Sequence, residues 1–131
     1  MLTLKEIGRR IQFEVESGRK LPRFLLGDLL DDFRIRAKTP EAKLSLVSEE
    51  PEQVTGAGLW HINAYLAALA EALCREAGLE PPQWISKPAY FLERPYFAGE
   101  LESVKALLIG ESPAVFRKRN LFVSADAMKR V

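Results

Sequence analysis

Apolar residues recur at helical spacing along most of this chain, in stretches that differ in how much of the helical wheel they cover. Leu4, Ile7, Ile11 and Val15 step by three and four, while Lys5, Arg9, Arg10 and Glu14 fall largely elsewhere. That is the pattern of an amphipathic helix with one core-facing stripe. Thr3, with Glu6 three positions on, supplies a capping-box start, and Ser17-Gly18 supplies a stop. A second helix is expected from near Pro22, turning Leu26, Leu29, Leu30 and Phe33 inward and leaving Asp28, Asp31 and Asp32 wet. Thr39-Pro40, an N-cap followed by proline at the first helical position, opens a third, short helix through about Val47. The run Ser48-Glu49-Glu50-Pro51-Glu52 reads as an acidic loop.

The fourth stretch is different in kind. Leu59, Ile62, Leu66, Leu69 and Leu73 form a stripe, and Trp60, Tyr65, Ala67, Ala68, Ala70 and Cys74 spread apolar surface around much of the circumference. A helix from Gly58 to Ala77 that is apolar on most sides must be surrounded by its neighbours. Gly78 is its expected stop.

Residues 81–131 hold five of the eight prolines and seven of the twelve aromatics. Prolines fix φ and aromatics bury large surfaces, so this segment should wrap onto the helices. Within it, Glu100 to Leu108 reads as a fifth helix with Leu101, Val104, Leu107 and Leu108 inward and Gly110 as its stop. Ser112-Pro113 repeats the cap-plus-proline signal for a short helix through Arg119, Leu121-Phe122-Val123 is extended, and Ser124 caps a last turn with Asp126 near its positive end. No period-two run of useful length appears. The expected class is all-α: one domain over residues 1–131, compact and irregular, around a central buried helix, closed by the Pro/aromatic segment and short C-terminal helices.

Nineteen basic against eighteen acidic residues leave a formal charge of +1, which argues against bulk electrostatic binding to nucleic acid or anionic membrane. One cysteine excludes an intramolecular disulfide and a cysteine-cluster metal site. No apolar signal core follows Met1, and the longest uncharged run, Gln53 to Ala70, carries polar residues and falls short of a membrane span. A soluble, cytoplasmic protein is expected.

Candidate chemistry is sparse. His61 is the single histidine, so no multi-histidine site can form within one chain, and its position beside Trp60 favours a hydrogen-bonded, partly buried ring. Cys74 lies on an apolar helix without a nearby base and reads as an inert core thiol. The acidic clusters at Asp28, Asp31, Asp32 and at Glu49, Glu50, Glu52 look solvated, with nothing to raise a pKa toward neutrality. Phosphate-loop, nucleophile-elbow and zinc motifs are absent. No catalytic residue, cofactor or metal is assigned. Leu4 to Ile11 resembles the scanning helix of a helix-turn-helix, but the helix runs on and its successor is leucine-rich and aspartate-bearing, unsuited to reading DNA. Arg117, Lys118, Arg119, Lys129 and Arg130 make the C-terminus locally basic, with Phe116 and Phe122 interleaved. They read first as a solvated face around two core anchors, then as a site for an acidic partner, then for nucleic acid. The aromatics Trp84, Tyr90, Phe91, Tyr96 and Phe97 are the best surface candidates, since aromatics and arginine are enriched at interface hot spots.

Taken in order, the words at Leu29–Phe33, Asn63–Glu71, Pro82–Trp84, Pro88–Leu92, Pro95–Phe97 and Glu111–Met128 carry a resemblance. The chain resembles a poorly characterised family of small prokaryotic helical proteins, over about three-quarters of its length. Such proteins are often encoded beside nucleotidyltransferase-like genes in an arrangement similar to toxin–antitoxin pairs. The resemblance implies a non-enzymatic interaction module, antitoxin-like or accessory to a nucleotidyltransferase-like partner, and transfers no catalytic residue. On the residues, Trp84, Tyr96 and Phe97 are the expected anchors and Arg117, Arg119 and Asn120 the expected polar contacts. The alternative is a nucleic-acid-binding regulator using Arg117, Lys118, Arg119, Lys129 and Arg130. A homodimer stays open.

Overall fold

The computed structural model describes residues 1–19, 22, 24–56, 58–98 and 111–129. Among them the chain is mostly helical, with one very small sheet. Helix α1 is Leu4–Glu16, α2 is Phe24–Asp31, α3 is Pro40–Ser45, α4 is Ile62–Glu76 and α5 is Ala114–Arg117. Strands β1 (Tyr96–Phe97) and β2 (Leu121–Phe122) pair in parallel, Tyr96 against Leu121 and Phe97 against Phe122. That pair corrects the strictly all-α expectation. Two residues per strand are too few to leave a period-two signature in the sequence. The fifth helix expected at Glu100 to Leu108 lies outside the described residues.

Local chemistry explains the first turns. Thr3 Oγ1 accepts from Glu6 N at 3.2 Å and Thr3 N donates to Glu6 Oε1 at 3.0 Å, a complete capping box. Thr39 Oγ1 accepts from Ala42 N at 3.1 Å, with Pro40 in the first turn of α3. Helix α4 stops at Ala77 because Gly78 takes φ 71°, a left-handed conformation that glycine adopts without strain. Its start is later than the sequence suggests: Gly58 is left-handed at φ 76°, so Trp60 and His61 lie in the turn before α4.

Two other boundaries differ for physical reasons. Helix α2 runs into a π-helical turn, Asp32–Arg36, which places Asp32 out of water, against Arg36 Nη1 at 2.7 Å. The expectation that Asp32 sits wet is corrected. The structure also buries Leu25 and leaves Leu26 partly exposed, where the pattern nominated Leu26. Ser112 does not cap α5. Its hydroxyl accepts from Val123 N at 2.8 Å and donates to Val123 O at 2.9 Å, and Pro113 O accepts from Phe116 N and Arg117 N. Proline itself serves as the N-cap, and Ser112 ties the two ends of the C-terminal segment together.

Packing follows the wheel. Leu4, Ile7 and Ile11 of α1 and Leu25, Leu29 and Leu30 of α2 join one hydrophobic cluster with α4. Helix α4 buries Ala64, Leu66, Ala67, Ala68, Leu69, Ala70, Glu71, Leu73 and Cys74, so three of its sides face protein. The alanines admit close neighbours: the 3-10 turns Gln83–Ser86 and Pro88–Tyr90 and helix α5 all pack on α4. No described helix is long and apolar enough to cross a membrane.

A buried ion pair sits in this core. Glu71 and Arg119 are each 1% exposed, and Arg119 Nη2 donates to Glu71 Oε1 at 2.9 Å. Arg119 Nη1 donates to Ile85 O at 2.9 Å and Tyr90 O at 3.1 Å, so one guanidinium pins both 3-10 turns to α4. Glu71 Oε2 also accepts from Arg75 Nε at 2.9 Å and from Lys118 Nζ. Burial alone would raise the Glu71 pKa, but donors from Lys118, Arg119 and Arg75 outweigh it and hold the carboxyl below its usual range.

Candidate functional site

Helices α1, α2 and α4, strand β1 and the C-terminal turn Ala125–Met128 do not close completely on one another. Between them lies a cleft of about 720 Å³. Ligand-binding clefts run to roughly 300–1,000 Å³ and are lined chiefly by apolar side chains. Ile11 lines it from α1, Phe24, Leu26 and Leu30 from α2, and Ile62, Tyr65, Leu66 and Leu69 from α4. Pro22, Gly27, His61, Tyr96, Ala98, Val123, Ser124, Ala127 and Lys129 complete the described lining. Arg34 fixes the C-terminal wall, donating from Nη1 to Met128 O at 2.6 Å while Nε and Nη2 grip Glu76 at 3.0 and 2.9 Å.

At the start of α4 the wall is aromatic. His61 lies flat on Tyr96, centroids 3.7 Å apart and planes within 5°. Trp60 meets the Tyr96 ring edge-on at 5.5 Å, and the Arg94 guanidinium stands 4.7 Å from the Trp60 ring centre. Trp60 is 39% exposed and Phe24 59% exposed, both large apolar side chains left in water beside an apolar cleft. His61 Nδ1 is buried and has no hydrogen-bond partner among the described residues. The hydrogen-bonded ring expected for His61 is therefore corrected at that atom. Burial lowers the His61 pKa, so the ring is neutral at pH 7.

The residues nominated from sequence divide between interior and surface. Trp84 is 6% exposed and its Nε1 donates to Val47 O at 3.0 Å. Arg119 is the buried partner of Glu71. Asn120 takes a left-handed φ of 65° and its Nδ2 donates to Leu92 O at 2.9 Å, a turn that lets β2 meet β1. Phe97 stacks on Phe122 across the strand pair at 5.0 Å. Tyr96 and Lys129 are the two that reach the cleft. Arg117 and Lys118 are exposed near α5, Lys118 donating to Glu71. Arg130 lies outside the described residues.

The structure thus does not gather the nominated set into one surface. It adds Phe24, Leu26 and His61 to Tyr96 instead. The signal for Phe24 was weak, because an aromatic at a helix start reads equally as core. The described lining of the cleft holds no carboxylate. Among the described residues, no group of three or more His, Cys, Asp or Glu could hold a metal ion. Compared with family models, characterised proteins and solved structures, the chain matches none.

Proposed function

We propose that this chain is a non-enzymatic protein–protein interaction module, a domain built around α4 and closed by its Pro/aromatic segment and short C-terminal helices. Its docking surface is the apolar cleft. The observation that carries this reading is an apolar cleft of about 720 Å³ with exposed Phe24 in its lining and exposed Trp60 packed on its wall residue Tyr96. Large apolar side chains beside a concave apolar surface mark interaction sites.

Charge selects the occupant. Lys129 is the one charged residue among the described lining, and Arg94 stands over Trp60 beside Tyr96. The fitting occupant is an apolar segment of a partner protein with acidic flanks, bound by insertion and acting by occlusion. The nucleotidyltransferase-like protein implied by the resemblance is the candidate partner, with this chain as its antitoxin-like or accessory subunit. Pairing of two copies through the same cleft is the competing protein arrangement.

The alternative, a nucleic-acid-binding regulator, keeps Arg117, Lys118 and Lys129 but has Arg119 inside the fold. The two readings separate in one experiment. Tagged chain is recovered from its host lysate with and without nuclease, as wild type, Leu26→Glu and Arg117→Glu. The interaction reading expects a stoichiometric protein companion that survives nuclease and is lost in Leu26→Glu. A companion that vanishes on nuclease treatment and is lost in Arg117→Glu overturns it. A steep fall of affinity with salt would accompany that second outcome.

A further inference from the structure

Where α5 packs on α4, two exposed cations converge on one buried acid. Glu71 is 1% exposed, and its Oε1 already receives Arg119, which is buried to the same degree. That inner pair is neutral in sum. Glu71 Oε2 accepts from Arg75 Nε at 2.9 Å and from Lys118 Nζ, so both outer heads end on the same oxygen. They stand within about two hydrogen-bond lengths of each other. The Arg75 side chain is 58% exposed and that of Lys118 45% exposed. Three cations thus face one carboxylate, and the excess of two positive charges lies on the side open to water. Glu76, the next acid along α4, is engaged by Arg34. Donors are left over as well. An ammonium has three and a guanidinium five, and Arg75 turns Nε and Nη2 to Glu71.

We infer that Arg75 and Lys118 form a binding site for a dianionic phosphoryl group, taken as free phosphate or as the terminal group of a phosphomonoester. Charge chooses the ligand. A phosphoryl dianion matches the excess of two and offers three strong acceptor oxygens to the spare donors. A phosphodiester carries a single charge, so a nucleic-acid backbone fits the pair less well. Preorganisation favours binding: Glu71 holds two like charges together before the ligand arrives, so less side-chain freedom is lost on binding. Glu71 is buried while the two heads are exposed, so an incoming anion meets the cations first. This site lies apart from the lining of the cleft, and the inference does not rest on the partner reading.

The test uses the full chain at about pH 8 and low ionic strength, where the phosphoryl probes are mainly dianions. Orthophosphate and methyl phosphate are the two source arms, and dimethyl phosphate is the singly charged control. At least one dianion is expected to bind one to one by calorimetry with a Kd of about 1 mM or tighter. Dimethyl phosphate should bind about tenfold or more weakly. Amide signals of Arg75 and Lys118 should move saturably. Arg75→Gln and Lys118→Gln should each weaken the dianion about tenfold, and Lys118→Arg should largely restore it. Each variant leaves Glu71 with Arg119 and at least one outer donor, and far-UV circular dichroism confirms that it is folded. Arg117→Gln removes a neighbouring exposed charge without touching the pair, and should change the affinity by less than about threefold. Binding of orthophosphate alone assigns the free ion, and binding of methyl phosphate alone assigns a monoester. No saturable binding of either dianion, or equal affinity for dimethyl phosphate, overturns the proposal. Arg117→Gln as damaging as Arg75→Gln overturns it too, since that marks a diffuse basic surface.

Discussion

Substituting Arg119 by methionine should be among the most damaging single changes in this molecule, although arginine normally belongs on surfaces. The side chain is 1% exposed and holds three acceptors: Glu71 Oε1 at 2.9 Å, Ile85 O at 2.9 Å and Tyr90 O at 3.1 Å. Methionine fills much of the volume and makes none of these bonds. Removing one partner of a buried pair costs about 3–5 kcal/mol, chiefly because the other charge is left uncompensated. Here Arg75 and Lys118 still reach Glu71, which moderates that part. Two buried carbonyls are stranded as well, at about 1–3 kcal/mol each when no donor replaces the lost one. A net loss of about 3–5 kcal/mol is a large share of the roughly 5–15 kcal/mol typical of a domain. Urea denaturation followed by tryptophan fluorescence gives the number, since Trp84 lies on one of the turns that Arg119 pins. The double variant Glu71→Leu, Arg119→Met tests the reasoning further. Replacing an ion pair alone by apolar residues is often neutral or stabilising. Because the guanidinium also serves two carbonyls, the double variant should stay at least about 2 kcal/mol below wild type. A wild-type midpoint for Arg119→Met, or full recovery in the double variant, refutes this account of the core.

Other consequences are quicker to check. Glu71 titrates below its ordinary value of 4.5 in the folded chain, so its contribution is complete above that pH and is lost as pH falls through the folded value. Acid unfolding should accordingly steepen below about pH 4.5, less so in Glu71→Gln. His61 has its folded pKa lowered from 6.5 by burial, so the unfolded chain takes up the proton first. Stability should therefore decline as pH drops below 6.5, and His61→Phe should flatten that part of the profile in urea titrations at fixed pH. Burial pushes the Cys74 thiol up to about 11, so it should resist disulfide-exchange reagents at pH 8 until denaturant is added. Leu73→Ala, at a fully buried position of α4, should cost about 2–5 kcal/mol in the same denaturation assay.

The helical part of this architecture was legible in the chain because local signals agree with tertiary needs. Thr3 with Glu6, Thr39 with Pro40 and Gly78 each perform the role their spacing implies. The apolar circumference of α4 is buried as its composition requires. What the sequence hides is long-range pairing. Glu71 reads as an interruption in an apolar run and Arg119 as one of several surface cations, yet they are 48 positions apart and in contact. No periodicity connects such residues. Likewise Asn120 reads as a polar contact, while its work is to turn the chain so that Leu121 meets Tyr96. The C-terminal word that carries the family resemblance thus contains Ser112, Arg119 and Asn120, each occupied in holding the fold. A likeness in those residues speaks to architecture before function. The cleft was illegible for the same reason: its walls come from segments far apart in the chain, and only Tyr96 and Lys129 were nominated beforehand.

Amide hydrogen exchange on the captured complex against the free chain tests the central claim most directly, because it maps the buried surface without a substitution. The account predicts new protection in the first turns of α2, around residues 60–66 and at residues 96–98, where the cleft is built, with the backbone of α5 unchanged. Protection confined to residues 111–120, or none in the cleft segments, would contradict it.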